Sequence, residues 1–172
     1  MRPVERGRHL PSPLPCKDVV AHWLMKSEPR ECGIDDLVRL GCVAWVGVRN
    51  YQARNFMRDA MRVSDGVLFY HSSCPEPGVA GLAEVASAAY PDATQFDPAS
   101  PYHDPKARAE APRWMNVDVK LVRKTRLLSL AEMRLAPALA TMQVLHRGNR
   151  LSITPVTTAE WHVVSTLLAV PR

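Results

Sequence analysis

The sequence predicts an α+β chain: a curled, mixed or antiparallel sheet forming a small open β-barrel, with short helices at its side and ends. Three observations lead there. Apolar stretches of period 2 come in pairs joined by short turns, as in hairpins. The helical segments between them are short. Neither a regular strand–helix alternation nor an internal repeat is present, which argues against a doubly wound parallel sheet. At 172 residues and 47% hydrophobic, the chain suffices for one core, and a single domain is expected over residues 19–172.

Residues 1–18 read as a flexible, basic extension, because Pro3, Pro11, Pro13 and Pro15 block helix and strand alike. They lack the apolar core of a secretory signal. Val19 to Ser27 reads as the first strand. It stops at Glu28-Pro29, since a residue before proline is pushed from the α region, and this leaves Lys26 and Ser27 at a strand end. Gly33 to Leu40 is a short helix with Asp35 and Asp36 near its positive end and Gly41 as a stop. Arg49 to Ala60 is a longer one. Gln52, Phe56 and Ala60 form one row, Ala53 and Met57 the next, and Arg54, Arg58 and Arg62 a cationic row.

Asp65-Gly66 turns into a strand, Val67 to Ser72. Alternation puts Val67, Phe69 and His71 on one face and Leu68, Tyr70 and Ser72 on the other. Pro75, Pro77 and Gly78 turn the chain back into Val79 to Ala89, where Gly78 and Gly81 predict a bend, a bulge or a close approach of another backbone. Tyr90 to Pro112 is a long proline-rich loop, a length that usually carries function or is ordered by packing. Arg113 to Leu128 is a long strand with Met115, Val117, Val119 and Leu121 facing the core. Trp114 falls on its polar row, a candidate pocket wall or a rim tryptophan. Ser129 and Glu132 make a capping box, Pro137 interrupts that helix, and Arg147-Gly148-Asn149 is a turn. Arg150 to Val156 is the last strand. Thr157 and Glu160 cap a final helix whose stripe is Trp161, Val164, Leu167 and Leu168.

Composition narrows the function classes. No apolar run is long enough to span a membrane as a helix. Cys16, Cys32, Cys42 and Cys74 have no metal-ligand spacing and read as reduced thiols of a cytoplasmic, bacterial protein. Asp97, His103 and Asp104 lack the spacing of a cation loop, so neither metal nor cofactor is expected. The formal net charge is +5, and the first twenty residues supply +2 of it. A pI near 9.3 fits nucleic-acid contact without demanding it.

The stretch richest in recognition chemistry is Trp45-Val46-Gly47-Val48-Arg49-Asn50, running on to Arg58. It combines an aromatic face, forked guanidinium donors and an amide with both donor and acceptor. A nucleobase uses this set: stacking on its face and hydrogen bonds at its rim. The stretch alone leaves open a core tryptophan and a solvated row of arginines.

Several stretches together resemble the EVE domain family. They are Trp23 to Pro29, Trp45 to Asn55, Phe69 to Ser72, Gly78 to Val85, Tyr90-Pro91-Asp92, Arg113-Trp114, and Arg150 to Val156. The resemblance spans roughly residues 21–170 and implies a PUA-like fold, a small barrel with flanking helices. It also implies a modified nucleobase held in an aromatic pocket. Lys26 and Ser27 would lie beside that pocket, Trp45 with Val48 would form one wall, and Trp114 would face or lid it. Asn50 would touch the base edge or hold the loop. Tyr70, His71 and Ser72 would contribute from a neighbouring strand, and Arg150 and Ser152 from the last one. The N-terminal extension, Cys32 and Ser64-Asp65-Gly66 depart from the family pattern and touch none of these positions.

The expected function is therefore a non-catalytic reader, a monomer whose partner is DNA or RNA carrying a modified base. Arg49, Arg54, Arg58 and Arg62 would hold phosphates and set register. The alternative is a hydrolase or glycosylase on such a base, with Ser72 or Cys74 as nucleophile and His71 as base. His71 and Ser72 are neighbours in a strand and point to opposite faces, which opposes that pairing. No GxSxG elbow, HExxH or deaminase zinc motif is present.

Overall fold

The structure is a computed structural model that describes residues 19–170. The expected extension over residues 1–18, with Cys16, lies outside them. Among the described residues, eight strands and five α-helices follow one another: β1 (His22–Ser27), α1 (Pro29–Cys32), α2 (Ile34–Leu40), β2 (Cys42–Ala44), α3 (Tyr51–Asn55), β3 (Gly66–His71), β4 (Gly78–Val85), β5 (Tyr90–Pro91), β6 (Met115–Asn116), β7 (Asp118–Ser129), α4 (Leu130–Leu135), β8 (Ile153–Val156) and α5 (Thr158–Ala169).

Six strands form one sheet in the order β2-β7-β4-β3-β1-β8, and β5 pairs with β6 separately. All neighbours are antiparallel except β1 and β3, which run parallel. The two edges, β2 and β8, do not pair, so the sheet is open and the expected barrel is not closed. The physical reason is the shortness of β2. Its three residues end where the Val46 amide turns back to the Ala44 carbonyl, which leaves too little strand for a further ladder.

Alternation along the strands builds two cores. Trp23, Met25, Val67 and Phe69 point to one face and pack with Ile34, Leu37, Ala53, Met57 and Val119. Leu24, Leu68, Tyr70 and Leu82 point to the other and pack with Leu128, Met133, Leu139, Val164 and Leu168. Central strands covered on both faces read as continuous apolar runs, as β1 and β3 do. The expected bulge in the β3–β4 hairpin is present, with register shifts between Phe69 and Tyr70 and between Val79 and Gly81.

Local chemistry set the caps as expected. Ser129 with Glu132 and Thr157 with Glu160 form complete capping boxes. The helix read as Arg49–Ala60 differs. It starts at Tyr51, and from Phe56 to Ala60 it widens into a π-helical turn. The Met61 amide reaches back to the Phe56 carbonyl at 2.8 Å. Widening breaks the four-residue row, so Arg62 lies beyond the helix. The buried positions here are Ala53 and Met57, while Gln52 and Ala60 are exposed.

Asp65 knits β1 to β3. The residue is 4% exposed, and its carboxylate is the acceptor. It accepts from the Ala21 amide at 3.1 Å, the Trp23 indole at 3.0 Å and the Arg62 amide at 2.9 Å. Asp65→Ala strands these donors in a closed site and should lower stability by about 3 kcal/mol. Urea unfolding checks this, with a lower midpoint at an unchanged slope.

Candidate functional site

The gap in the open sheet holds a cavity of about 700 Å³. The end of β1 supplies Lys26 and Ser27, the chain after β3 supplies Ser72 and Ser73, and the approach to β8 supplies Arg150 and Ser152. The segment leaving β2 supplies Trp45, Gly47, Val48 and Arg49. Glu28, Glu31 and Cys32 of the α1 region and Tyr102 of the long loop add to the lining; Cys32, expected to stay clear of the pocket, borders it because α1 folds back beside the end of β1.

Trp45 is at once a core residue and part of the cavity lining. It is 7% exposed and meets Phe69 edge-on in the core, at 5.4 Å between centroids, while lining the cavity. Val48, 6% exposed, lies below the same wall. The Lys26 amide bonds to the Ser152 carbonyl at 2.8 Å, extending the β1–β8 ladder to the cavity. Its ammonium donates to the Asn149 carbonyl at 3.3 Å, and burial pushes its pKa below the ordinary lysine value. The Ser27 hydroxyl donates to the Cys32 carbonyl at 2.7 Å, and that of Ser72 to the Ser27 carbonyl at 3.5 Å.

Two loops are clamped together at the wall by Arg49 and Asp92. The Asp92 side chain is fully buried and that of Arg49 is 22% exposed, with 2.9 Å between them. The guanidinium also donates to the Val48 and Tyr102 carbonyls and the Thr94 hydroxyl. All five of its N–H groups are thereby engaged. Asp92 accepts in addition from the Gly47 amide and from the amide and hydroxyl of Thr94. Burial works against its charge, but the Thr94 hydroxyl, Arg49 and the two amides outweigh that and hold its pKa below the ordinary value.

This clamp brings Tyr102 onto Gly47. At φ +83° Gly47 adopts a conformation that a side chain disfavours, and a Cβ there would lie 2.7 Å from the tyrosine ring. The Tyr102 hydroxyl donates to Glu31 at 2.8 Å. Burial, followed by that carboxylate, pushes its pKa up to about 12.

Other expected site residues lie elsewhere. Trp114 does not line the cavity. It is 6% exposed, its indole donates to Asp104 at 2.7 Å, and its ring stacks on Tyr51 at 4.9 Å. It anchors the long loop. Asn50 caps α3, accepting from the Gln52 and Ala53 amides. Tyr70 points into the second core, where burial pushes its pKa up to about 12. The His71 ring accepts the Ile34 amide at 3.0 Å, and burial lowers its pKa against a smaller pull from Asp35. That bond requires a neutral imidazole.

The arginines expected on phosphates are also redirected. Arg49 has no free donor. Arg54 is bonded to the Arg113 carbonyl and Asn55, Arg58 to Asp59, and Arg62 to the Met61 and Asp59 carbonyls. Sequence reasoning missed Tyr102. Its only signal was an aromatic ring in a loop too long to be idle.

The EVE domain family model matches residues 21–167. The chain belongs to the EVE domain family. This EVE domain is 42% identical over 171 residues to thymocyte nuclear protein 1 of Homo sapiens, covering 88% of this chain and 75% of the relative. A crystal structure of a Pseudomonas putida protein is 51% identical, with a TM-score of 0.82 over 86% of this chain and 99% of that one. The crystal structure of human THYN1 protein in complex with 5-methylcytosine containing DNA is 41% identical. Its TM-score is 0.81, over 88% of this EVE domain and 99% of that chain.

The clamp has a pH signature. Because the folded-state pKa of Asp92 is lowered, its contribution to stability is complete above the ordinary carboxylate range. It is lost as pH falls through the lower folded value. Asp92→Asn should cost about 3 kcal/mol near neutral pH, the low end for breaking a buried pair because Arg49 keeps some access to water. The difference from wild type should shrink as pH falls below the ordinary carboxylate range in urea melts at stepped pH.

Proposed function

We propose that this EVE domain is a non-catalytic reader of DNA carrying a methylated cytosine, with the base held in the cavity lined by Trp45 and Tyr102. The observation that carries the reading is that cavity. Its volume of about 700 Å³ falls within the range of about 300–1,000 Å³ for small-molecule sites. It joins two aromatic rings to groups of both hydrogen-bonding senses. The relative crystallised with 5-methylcytosine DNA supports the choice of ligand. We read the open sheet and its flanking helices as PUA-like.

Cytosine offers an amino donor and ring acceptors. Glu28 and Glu31 can accept from the amino group, while Lys26, whose ammonium spends one of its three donors on Asn149, can donate to the acceptors. Val46 and Val48 offer apolar contact to a methyl. Stacking carries most of the affinity, at about 1–3 kcal/mol per aromatic contact. A buried methyl adds about 1 kcal/mol, about a fivefold preference. Catalysis is disfavoured by the engagement of His71 with the Ile34 amide, which removes it as a base for Ser72 or Cys74.

The test is calorimetric titration with short DNA carrying one 5-methylcytosine or one cytosine. Wild type should bind the methylated form about fivefold more tightly. Tyr102→Ala should weaken binding about tenfold. Trp45→Phe, which keeps an aromatic ring against Phe69, should weaken it less. Equal binding of both forms, indifferent to both substitutions, would overturn the reading.

A further inference from the structure

We propose that the loop from His146 to Arg150 is a phosphate clamp, holding the DNA backbone beside the nucleotide whose base enters the cavity. This assignment rests on the reader proposal and concerns a different element from the arginine row expected on phosphates.

The argument begins with availability. Arg49, Arg54, Arg58 and Arg62 all spend their guanidinium groups on carbonyls or side chains of the protein. Engaging a phosphate there would break bonds already made. Arg147 and Arg150 make no hydrogen bond or ion pair among the described residues, and both are exposed. Their donors are open, and a guanidinium fork suits a phosphate.

The mounting is rigid although the arms are free. Asn149 donates to the Gln143 carbonyl at 2.7 Å and accepts the Leu151 amide at 2.9 Å. The Asn149 amide closes a turn on the His146 carbonyl, with Gly148 at φ +80° inside it. Lys26 then ties the loop to the cavity through the Asn149 carbonyl. Arg150 lines the cavity, and Arg147 precedes it by three residues in the same loop.

Charge across the rim is divided. Glu28 and Glu31 lie on the α1 side, and Lys26 and Arg150 on the side of this loop. A phosphodiester is repelled from the first and attracted to the second, which orients a strand over the opening.

The experiment measures binding of methylated and unmethylated oligonucleotides at several salt concentrations. It compares wild type, Arg147→Ala with Arg150→Ala, and Arg58→Ala with Arg62→Ala. A third probe is the free nucleoside 5-methyldeoxycytidine, which carries no phosphate, and a fourth is inorganic phosphate. The clamp predicts at least tenfold weaker oligonucleotide binding in the loop variant. The slope of log K against log salt should fall by about 1–2. In Arg147→Ala alone, a residue outside the cavity lining, the methylated-to-unmethylated ratio and nucleoside binding should stay within about twofold of wild type. Inorganic phosphate should compete weakly, since one phosphate lacks the register of a strand.

An unchanged slope in the loop variant, or the larger loss in the Arg58/Arg62 variant, would overturn the clamp. A changed slope in a protein that never distinguished the methylated base would uphold the clamp and overturn the reader. Arg150→Glu, expected to weaken binding further than Arg150→Ala, guards against an effect of lost bulk.

Discussion

The buried pair of Arg49 and Asp92 is the constraint on which the site depends. Each partner has its charge withdrawn from water, a cost that a pair alone seldom offsets. Here hydrogen bonds complete the satisfaction: five N–H groups of the arginine are used, and the carboxylate accepts from the guanidinium, a hydroxyl and two amides. Three separate pieces of chain are thereby held in one geometry: the exit from β2, the turn at Thr94 and the loop at Tyr102. A network with every member satisfied is rigid. That rigidity sets Tyr102 against Gly47 and so forms one side of the cavity.

The remainder of the cavity follows from the sheet. Lys26, Ser72 and Ser152 stand at the ends of adjacent strands because β1 lies between β3 and β8. Parallel pairing of β1 with β3 brings Ser27 opposite His71, so Ser72 meets the Ser27 carbonyl one step further on. The sheet stays open at β2, and the opening is where the polar strand ends and the Trp45 wall converge. Had the edges paired, backbone hydrogen bonds would fill the place of the cavity.

Trp45 and Trp114 illustrate how similar residues separate in role. Both are largely buried. Trp45 packs on Phe69 and lines the cavity. Trp114 spends its indole on Asp104 and its face on Tyr51, with the Arg49 guanidinium 5.5 Å from its ring. It stabilises the loop that delivers Tyr102, so its influence on the cavity is indirect.

Much of the architecture was legible in the sequence, because it depends on neighbours a few residues apart. Alternation in Val67 to Tyr70 assigned the two cores, Ser129 and Thr157 marked helix starts, and Gly81 marked a bulge. The quoted motifs brought Lys26, Ser27, Trp45, Val48, Ser72, Arg150 and Ser152 into consideration, and these converge on one cavity. The π-helical turn after Asn55 was not legible, since its widened pattern leaves the arginine spacing looking like an ordinary helix. Nor were the fates of Arg49, Asn50, Trp114 and Tyr102. A donor is available to a ligand only if no carbonyl or carboxylate has claimed it. The claimants of Arg49 lie more than forty residues along the chain, at Asp92 and Tyr102. The sequence by itself determined which residue types stand at each strand end and which face they take. The tertiary structure alone decided which polar groups remain free, because that depends on contacts between segments far apart in the chain.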